Sequence, residues 1–375
     1  MTALPEMPPR SGRPQPDISG GRLQKCLVLL VLLFLAHVAR ADDVLYLYNW
    51  NNYISDATLQ RFEAACHCRV RPDDYSDNEE MLAKLEAGAT GYDILVPTGN
   101  AVESLIRRGA LRPVDHAQLT NFRNLDPSFR SPWFDPGNRY SVPYATSVTL
   151  IGYNVERLRE RQLPTDTWAL LFEPRYLEKI RGKVTVLNSQ RELLAAAMKY
   201  LGHSVQDHDP AKWDAAKRLI LRAKPYWATF SNSTYIKDLA IGNIWVAHGY
   251  SNDMYRASED ARAASRPFHI GFTTPKEGAV LALDSFVLHR SGRRPDLALK
   301  FIDFMLDGPN AADASNLIGA GNPNAAARAF IRPEIAGNPA IFPPAGELER
   351  LEMLRDFDPG MRRYLSRLWT EVKVK

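Results

Sequence analysis

Beyond residue 43, short apolar runs alternate with stretches whose apolar positions recur every three to four residues. Residues 44–48 read as a strand. Ser55 or Asp56 then caps a helix that carries Leu59 and Phe62 on one face. Residues 68–70 open a second strand, 79–86 form a helix stopped by Gly88, and 93–96 form a short buried strand. Asn100 with Glu103 spells a capping box for a helix that stops at Gly109. This βαβαβ rhythm predicts a mostly parallel sheet covered by helices. Residues 140–153 are β-rich without a break. A second α/β region follows, with a strand at 183–187, helices at 192–201, 211–222 and 235–240, and a strand at 244–248. Further strands fall near 268–272 and 279–288, and Pro295 opens a helix with Leu297, Phe301 and Met305 on one face. The pattern predicts an α/β protein of two lobes joined by extended crossovers, with a ligand cleft between them.

The first 41 residues break the rhythm. Pro5, Pro8, Pro9, Pro14 and Pro16 exclude a stable helix there. Arg22 and Lys25 precede an apolar run over 26–38 that ends at Ala39-Arg40-Ala41. Basic residues, a short apolar run and small residues at the exit predict a secretory signal peptide over 1–41, cleaved before Asp42. The run falls short of the roughly 20 apolar residues that span a bilayer, so an uncleaved anchor is the lesser reading. No Cys stands at the cleavage point to take a lipid. A cleaved leader predicts a periplasmic protein.

Charge adds little. The formal charge is +4, but the leader holds Arg10, Arg13, Arg22, Lys25 and Arg40 against Glu6 and Asp17, which leaves +1 for the rest. No basic stripe interleaved with aromatics runs through the chain, so no nucleic-acid partner is expected. At 375 residues the chain suggests two domains, with a core that needs neither disulfide nor metal. Cys26 falls in the leader, and Cys66 and Cys68 flank His67. Zinc sites need a second ligand pair, which is missing, so no metal and no cofactor is expected. Cys68 reads as a small core residue that begins a strand. A disulfide across one residue is strained, though an oxidising compartment permits it.

The more specific signal is an ordered series of segments. These are Tyr48-Asn49-Trp50-Asn51-Asn52-Tyr53-Ile54, Gly91-Tyr92-Asp93-Ile94-Leu95-Val96-Pro97, Ile151-Gly152-Tyr153-Asn154, Thr274-Pro275-Lys276-Glu277-Gly278, and Asn338-Pro339-Ala340-Ile341-Phe342-Pro343-Pro344. In this order, from about residue 44 to 373, they closely resemble the periplasmic putrescine- and spermidine-binding proteins of bacterial ABC importers. The resemblance implies the two-lobed periplasmic binding (Venus-flytrap) fold, with ligand enclosed by hinge closure. It places lobe one at 42–147 plus 268–318 and lobe two at 148–267 plus 319–375. It also implies a monomer that delivers an amine to an inner-membrane ABC permease.

The candidate ligand residues are Trp50, Asn51, Asn52, Tyr53, Thr98, Glu192, Tyr250, Asp253 and Asp284. Residues 50–53, 98–100 and 189–192 follow strands, where α/β sheets hold their ligands. Trp50 and Tyr53 match aromatics of the family's amine cage, where rings and carboxylates suit a cation. Asp284 stands in an otherwise apolar run, 280–288, where an unpaired carboxylate is costly. Asp253 matches a family acid, against the plain reading of a helix N-cap before 254, and Tyr250 replaces a family Trp. Glu192 matches a family acid too, but Ser189-x-x-Glu192 also spells a capping box.

Three departures from the family bear on the ligand: Asn52 replaces a carboxylate, and Ala282 and Ala320 replace aromatics. They predict a wider site with one negative charge fewer, for which putrescine is not the best ligand. A longer or acylated polyamine fits that expectation, as does an amine that bears a carboxylate, such as an ω-amino acid or opine. Arg191 suits the last as a carboxylate fork. An enzyme is not expected: no Gly-x-Ser-x-Gly elbow, His-Glu-x-x-His or phosphate-binding glycine loop is present. A ligand-loaded signalling partner is the remaining alternative.

Overall fold

The computed structural model of the chain describes residues 43–375 apart from Asn52. The signal-peptide reading of 1–41 and the candidate residue Asn52 therefore lie outside the described residues. The strands are β1 (Asp43–Trp50), β2 (Cys68–Tyr75), β3 (Ile94–Leu95), β4 (Leu111–Arg112), β5 (Ser141–Asn154), β6 (Val184–Val186), β7 (Thr229–Phe230), β8 (Val246–Tyr250), β9 (Ile270–Thr273), β10 (Ala279–His289) and β11 (Leu351–Glu352). The helices that matter below are α1 (Asp56–Cys66), α2 (Asn78–Glu86), α3 (Gly99–Arg107), α4 (Gln190–Tyr200), α5 (Thr234–Ala240) and α6 (Ser251–Ala263).

The strands run in the order β2-β1-β3-β10-β5-β8-β6-β7, with β4 and β11 on β10 and β9 on β5. Both flanks are parallel, β1 with β3 and β6 with β7 and β8. The middle, β3-β10-β5-β8, is antiparallel. The βαβ rhythm accounts for the flanks. It does not account for the middle, because β5 and β10 enter as long extended segments, and antiparallel neighbours need no helical crossover.

Residues 141–148 of β5 pair with β10, and residues 149–153 pair with β8. One strand thereby serves two cores. The first gathers Leu45, Leu47, Ile94, Val96, Val142, Phe286 and Phe301. The second gathers Leu150, Ile151, Val184, Val186, Leu193, Val246, Met254 and Leu365. Ile270 of β9 and Ala279 at the start of β10 belong to the second. Each fully buried Leu, Ile or Phe contributes about 1.5–3 kcal/mol, so both cores are substantial.

Several local expectations change. The capping box at Asn100 and Glu103 is not formed. Helix α3 starts at Gly99 behind Thr98, whose hydroxyl does not cap it, being drawn instead to Asp284 at 2.7 Å. Glu103 accepts from the Asp356 amide at 2.9 Å. Helix α6 starts at Ser251, not at 254, with Tyr250 as its cap residue. Cys66 and Cys68 form a disulfide, while Cys68 is also the buried first residue of β2. His67 between them closes α1 in the left-handed region, φ 52°.

Candidate functional site

Asp284 lies on β10 between buried Leu283 and Phe286 and is 2% exposed. The pairing with β5 shifts register between Asp284 and Ser285, the kind of irregularity that re-aims a side chain. Its Oδ1 accepts from the Thr98 hydroxyl at 2.7 Å and its Oδ2 from the Tyr53 hydroxyl at 3.1 Å. Burial pushes the carboxyl up to about 6, against the pull of these two hydrogen bonds.

Asp253 sits in the first turn of α6, where the helix N-terminus favours negative charge. It is not the N-cap. The Tyr235 hydroxyl of α5 donates to it, and Asn252 Nδ2 donates at 3.2 Å. Burial raises this carboxyl to about 6 as well. Gly249 makes the Tyr235 contact possible: a Cβ there would stand 2.5 Å from the Tyr235 ring. The Tyr53 phenol, pushed well up by burial, is raised further by the charges of both Asp284 and Asp253. The two carboxylates thus act on one hydroxyl.

The aromatic wall is continuous. Trp50 lies 6.1 Å from Tyr53 and 4.7 Å from Tyr75 between ring centroids. The Tyr144 hydroxyl donates to the Tyr53 carbonyl at 2.8 Å and fixes that turn. Trp50 Nε1 has no protein partner among the described residues. Such a ring presents a negative face to a cation.

Glu192 is 8% exposed. Ser189 caps α4 and accepts from the Glu192 amide at 3.4 Å, but the Glu192 carboxylate turns away to the Thr149 hydroxyl at 2.7 Å. The capping box is therefore half formed and Glu192 is no solvated cap. Burial lifts its carboxyl to about 7, while the Thr149 hydrogen bond and the Arg191 charge pull it down.

One cavity of about 440 Å³ brings together Trp50, Asn51, Tyr53, Thr98, Glu192, Tyr250, Asp253 and Asp284. Ala282 lines it too, but Ala320 does not. Ala320 is fully buried and packs in the first core, so its small size opens no space at the cavity wall. Sequence reasoning misses Tyr75, Asn252 and Tyr235. Tyr75 ends β2 as Trp50 ends β1, but the apolar pattern shows that strand only over 68–70, so the strand-end rule does not reach it. Tyr235 gives no such signal, because only the fold carries its hydroxyl to Asp253. No group of three or more potential metal ligands occurs among the described residues.

Residues 57–343 match the model of a family described as bacterial extracellular solute-binding protein. The chain is 52% identical over 353 residues to the putrescine/cadaverine-binding protein of Pseudomonas aeruginosa, covering 94% of this chain and 100% of that one. It is 33% identical to the putrescine-binding periplasmic protein PotF of Escherichia coli, covering 92% and 95% of the two chains. Among solved structures, the TpPotD lipoprotein of Treponema pallidum superposes with a TM-score of 0.77 at 28% identity, covering 88% of this chain and 99% of that one.

Proposed function

The chain belongs to the bacterial extracellular solute-binding protein family, and we propose that it captures a short linear diamine, of the putrescine or cadaverine type, for an ABC importer. The family is one of binding proteins rather than enzymes. The observation that carries the diamine reading is the pair Asp253 and Asp284. Asp284 is buried and Asp253 is part-buried, both line one cavity, and each is met only by neutral hydroxyl or amide donors. Among the described residues no cationic side chain pairs with either. A desolvated carboxylate without a cation is costly, and a diamine supplies one ammonium for each. The rings of Trp50, Tyr53 and Tyr250 then hold the aliphatic stem and add cation–π attraction.

The names of the relatives from Pseudomonas aeruginosa and Escherichia coli support a diamine. We therefore set aside the expectation that putrescine is not the best ligand: Ala282 lines the cavity, but Ala320 stands in the core rather than at its wall. Calorimetry at neutral pH tests the reading, with putrescine, cadaverine, spermidine, γ-aminobutyrate and an opine. Saturable one-to-one binding of the diamines, tightest of the panel, is expected. Tighter binding of either amino-carboxylate would refute it.

The same reading makes the protein a periplasmic monomer that releases its ligand to an inner-membrane permease, with a leader removed before Asp42. The mass and the oligomeric state of the exported protein check both points. Lobe one is taken as 44–147 plus about 280–320, and lobe two as 148–279 plus 321–375. The edges expected at 268 and 318 move because Ile270 and Ala279 pack with the second core and Ala320 with the first. Closure of the two on each other would exclude water from Asp253 and Asp284, and contraction in solution scattering on adding diamine reads it.

A further inference from the structure

Residues 351–357 fall in lobe two by sequence but reach back to lobe one. β11 lies parallel to the start of β10, pairing Leu351 with Ala279 and Glu352 with Val280. From there successive side chains go to opposite lobes, as the period of two along an extended chain allows. The Glu352 carboxylate accepts from Lys199 Nζ at 2.8 Å and from Ser204 Oγ at 2.5 Å, both in lobe two. Met353 packs against a cluster of lobe one that includes Tyr48, Leu95 and Phe134. Leu354 packs with Ala195 and Val205 of lobe two. Arg355 holds its guanidinium 4.4 Å from the ring of Trp133 in lobe one. Phe357 is buried in the second core. Arg191 of α4 ties the segment to lobe two once more. Its Nη2 donates to the Arg355 carbonyl at 2.7 Å and its Cζ lies 4.7 Å from the Phe357 ring. The guanidinium expected to fork a ligand carboxylate is thus engaged by this segment.

Asp356 is the point where the two sets of contacts meet. Its side chain is 9% exposed and pairs with Arg107, the last residue of α3 in lobe one. It also accepts from Arg362 Nη1, in the C-terminal helix Pro359–Val374 of lobe two, at 2.8 and 3.0 Å. Its amide donates to Glu103 of α3 at 2.9 Å. The Arg362 pairing is internal to lobe two and indifferent to how the lobes stand. The Arg107 pairing crosses between lobes and belongs to the arrangement in which Asp253 of lobe two and Asp284 of lobe one line a single cavity. Met353 and Leu354 line that cavity too, whereas Arg107, Trp133 and Asp356 do not. We propose that residues 353–357 form a latch between the lobes, and that Arg107, acting through Asp356, is a positioning residue for ligand affinity although it touches no ligand. A contact made only in the binding arrangement raises the population of that arrangement, and apparent affinity follows the population.

This inference rests on the proposed lobes and the diamine reading, and the test separates the two. Putrescine is titrated by calorimetry into the wild type, Arg107→Gln, Arg107→Lys, Asp356→Asn, Arg362→Gln and the Arg107→Gln/Asp356→Asn double variant. Affinity should fall roughly threefold to fivefold in Arg107→Gln, the scale of one partly exposed ion pair, and stay near wild type in Arg107→Lys. Asp356→Asn should lose at least as much as Arg107→Gln, and the double variant no more than Asp356→Asn alone, since the two residues act through one contact. Arg362→Gln should not lower affinity, whatever it does to the melting midpoint. A merely structural pair would move the midpoint and leave affinity alone. Unchanged affinity in Arg107→Gln overturns the latch, as do additive losses in the double variant or an equal loss in Arg362→Gln. A wild type that binds no putrescine overturns the diamine reading, and solution scattering of the ligand-free proteins then decides the latch. Arg107→Gln should be more expanded than wild type, and identical curves refute it.

Discussion

Without ligand, Asp284 is a destabilising residue. Its carboxylate is 2% exposed and hydrogen-bonded to two neutral hydroxyls. These bonds lessen the cost of burying the charge but do not remove it, as the value near 6 indicates. Asp284→Asn should therefore act in opposite directions on binding and on stability. Diamine affinity should fall roughly 100-fold or more, the scale of a lost buried ion pair. The thermal midpoint of the ligand-free protein at neutral pH should rise. Calorimetry and melting curves on the same preparation read both, and a lowered midpoint with binding retained would sink the argument. Asp284 is legible in the sequence because an acid inside an apolar run must find a partner. Glu192 is only half legible, since Ser189 three residues before it offers an equally good local reason for an acid there. The fold decides by bringing Thr149 of β5 to the carboxylate. Tyr235 is not legible at all, as its partner comes from another element.

At the scale of elements, the site depends on how closely α5 and α6 approach β8. Gly249 has no side chain where Tyr235 and Met254 crowd in, each within 2.5 Å of a built Cβ. Met254 can bend aside, but the Tyr235 ring is fully buried and cannot. Gly249→Ala should therefore cost about 1–3 kcal/mol of stability, as overpacking does. It should also weaken diamine binding, because the Tyr235 hydroxyl is displaced from Asp253. Denaturant melts and calorimetry test this, and a variant normal in both would show that the contact is loose. The periodicity of the sequence yields most elements, but their ends follow longer-range contacts. The pattern shows β2 only over 68–70, whereas the strand runs on to Tyr75 through Pro72 and exposed Asp73 and Asp74. That is tolerated because β2 is the edge of the sheet, where proline and charge are permitted. The cap of α3 is misread for a related reason, since Thr98 gives its hydroxyl to Asp284 rather than to its own helix.

At the scale of the whole molecule, three cavity acids, Asp284 and Glu192 buried and Asp253 part-buried, tie stability to pH and to ligand. Asp253 and Asp284 titrate at about 6 in the folded protein and Glu192 at about 7, all raised by burial. In the unfolded chain such groups titrate near 4. Between those values the folded state holds more protons than the unfolded state, so stability falls as pH rises. The stabilisation from protonated Asp253 and Asp284 is fully present below about pH 4 and is lost as pH passes about 6, at most ~3 kcal/mol for each group. A bound diamine reverses the sign, because its ammonium groups favour the ionised carboxylates and compete with protons. Diamine affinity should accordingly fall as pH drops through about 6. The Asp253→Asn/Asp284→Asn double variant isolates these groups from every other titration in the chain. Ligand-free wild type should lose thermal midpoint relative to that variant between pH 4 and pH 7. Saturating putrescine should restore the wild type at neutral pH by mass action and leave the variant unmoved. Parallel midpoint curves for the two proteins across this range would mean that this pair of carboxylates does not set the balance between stability and binding.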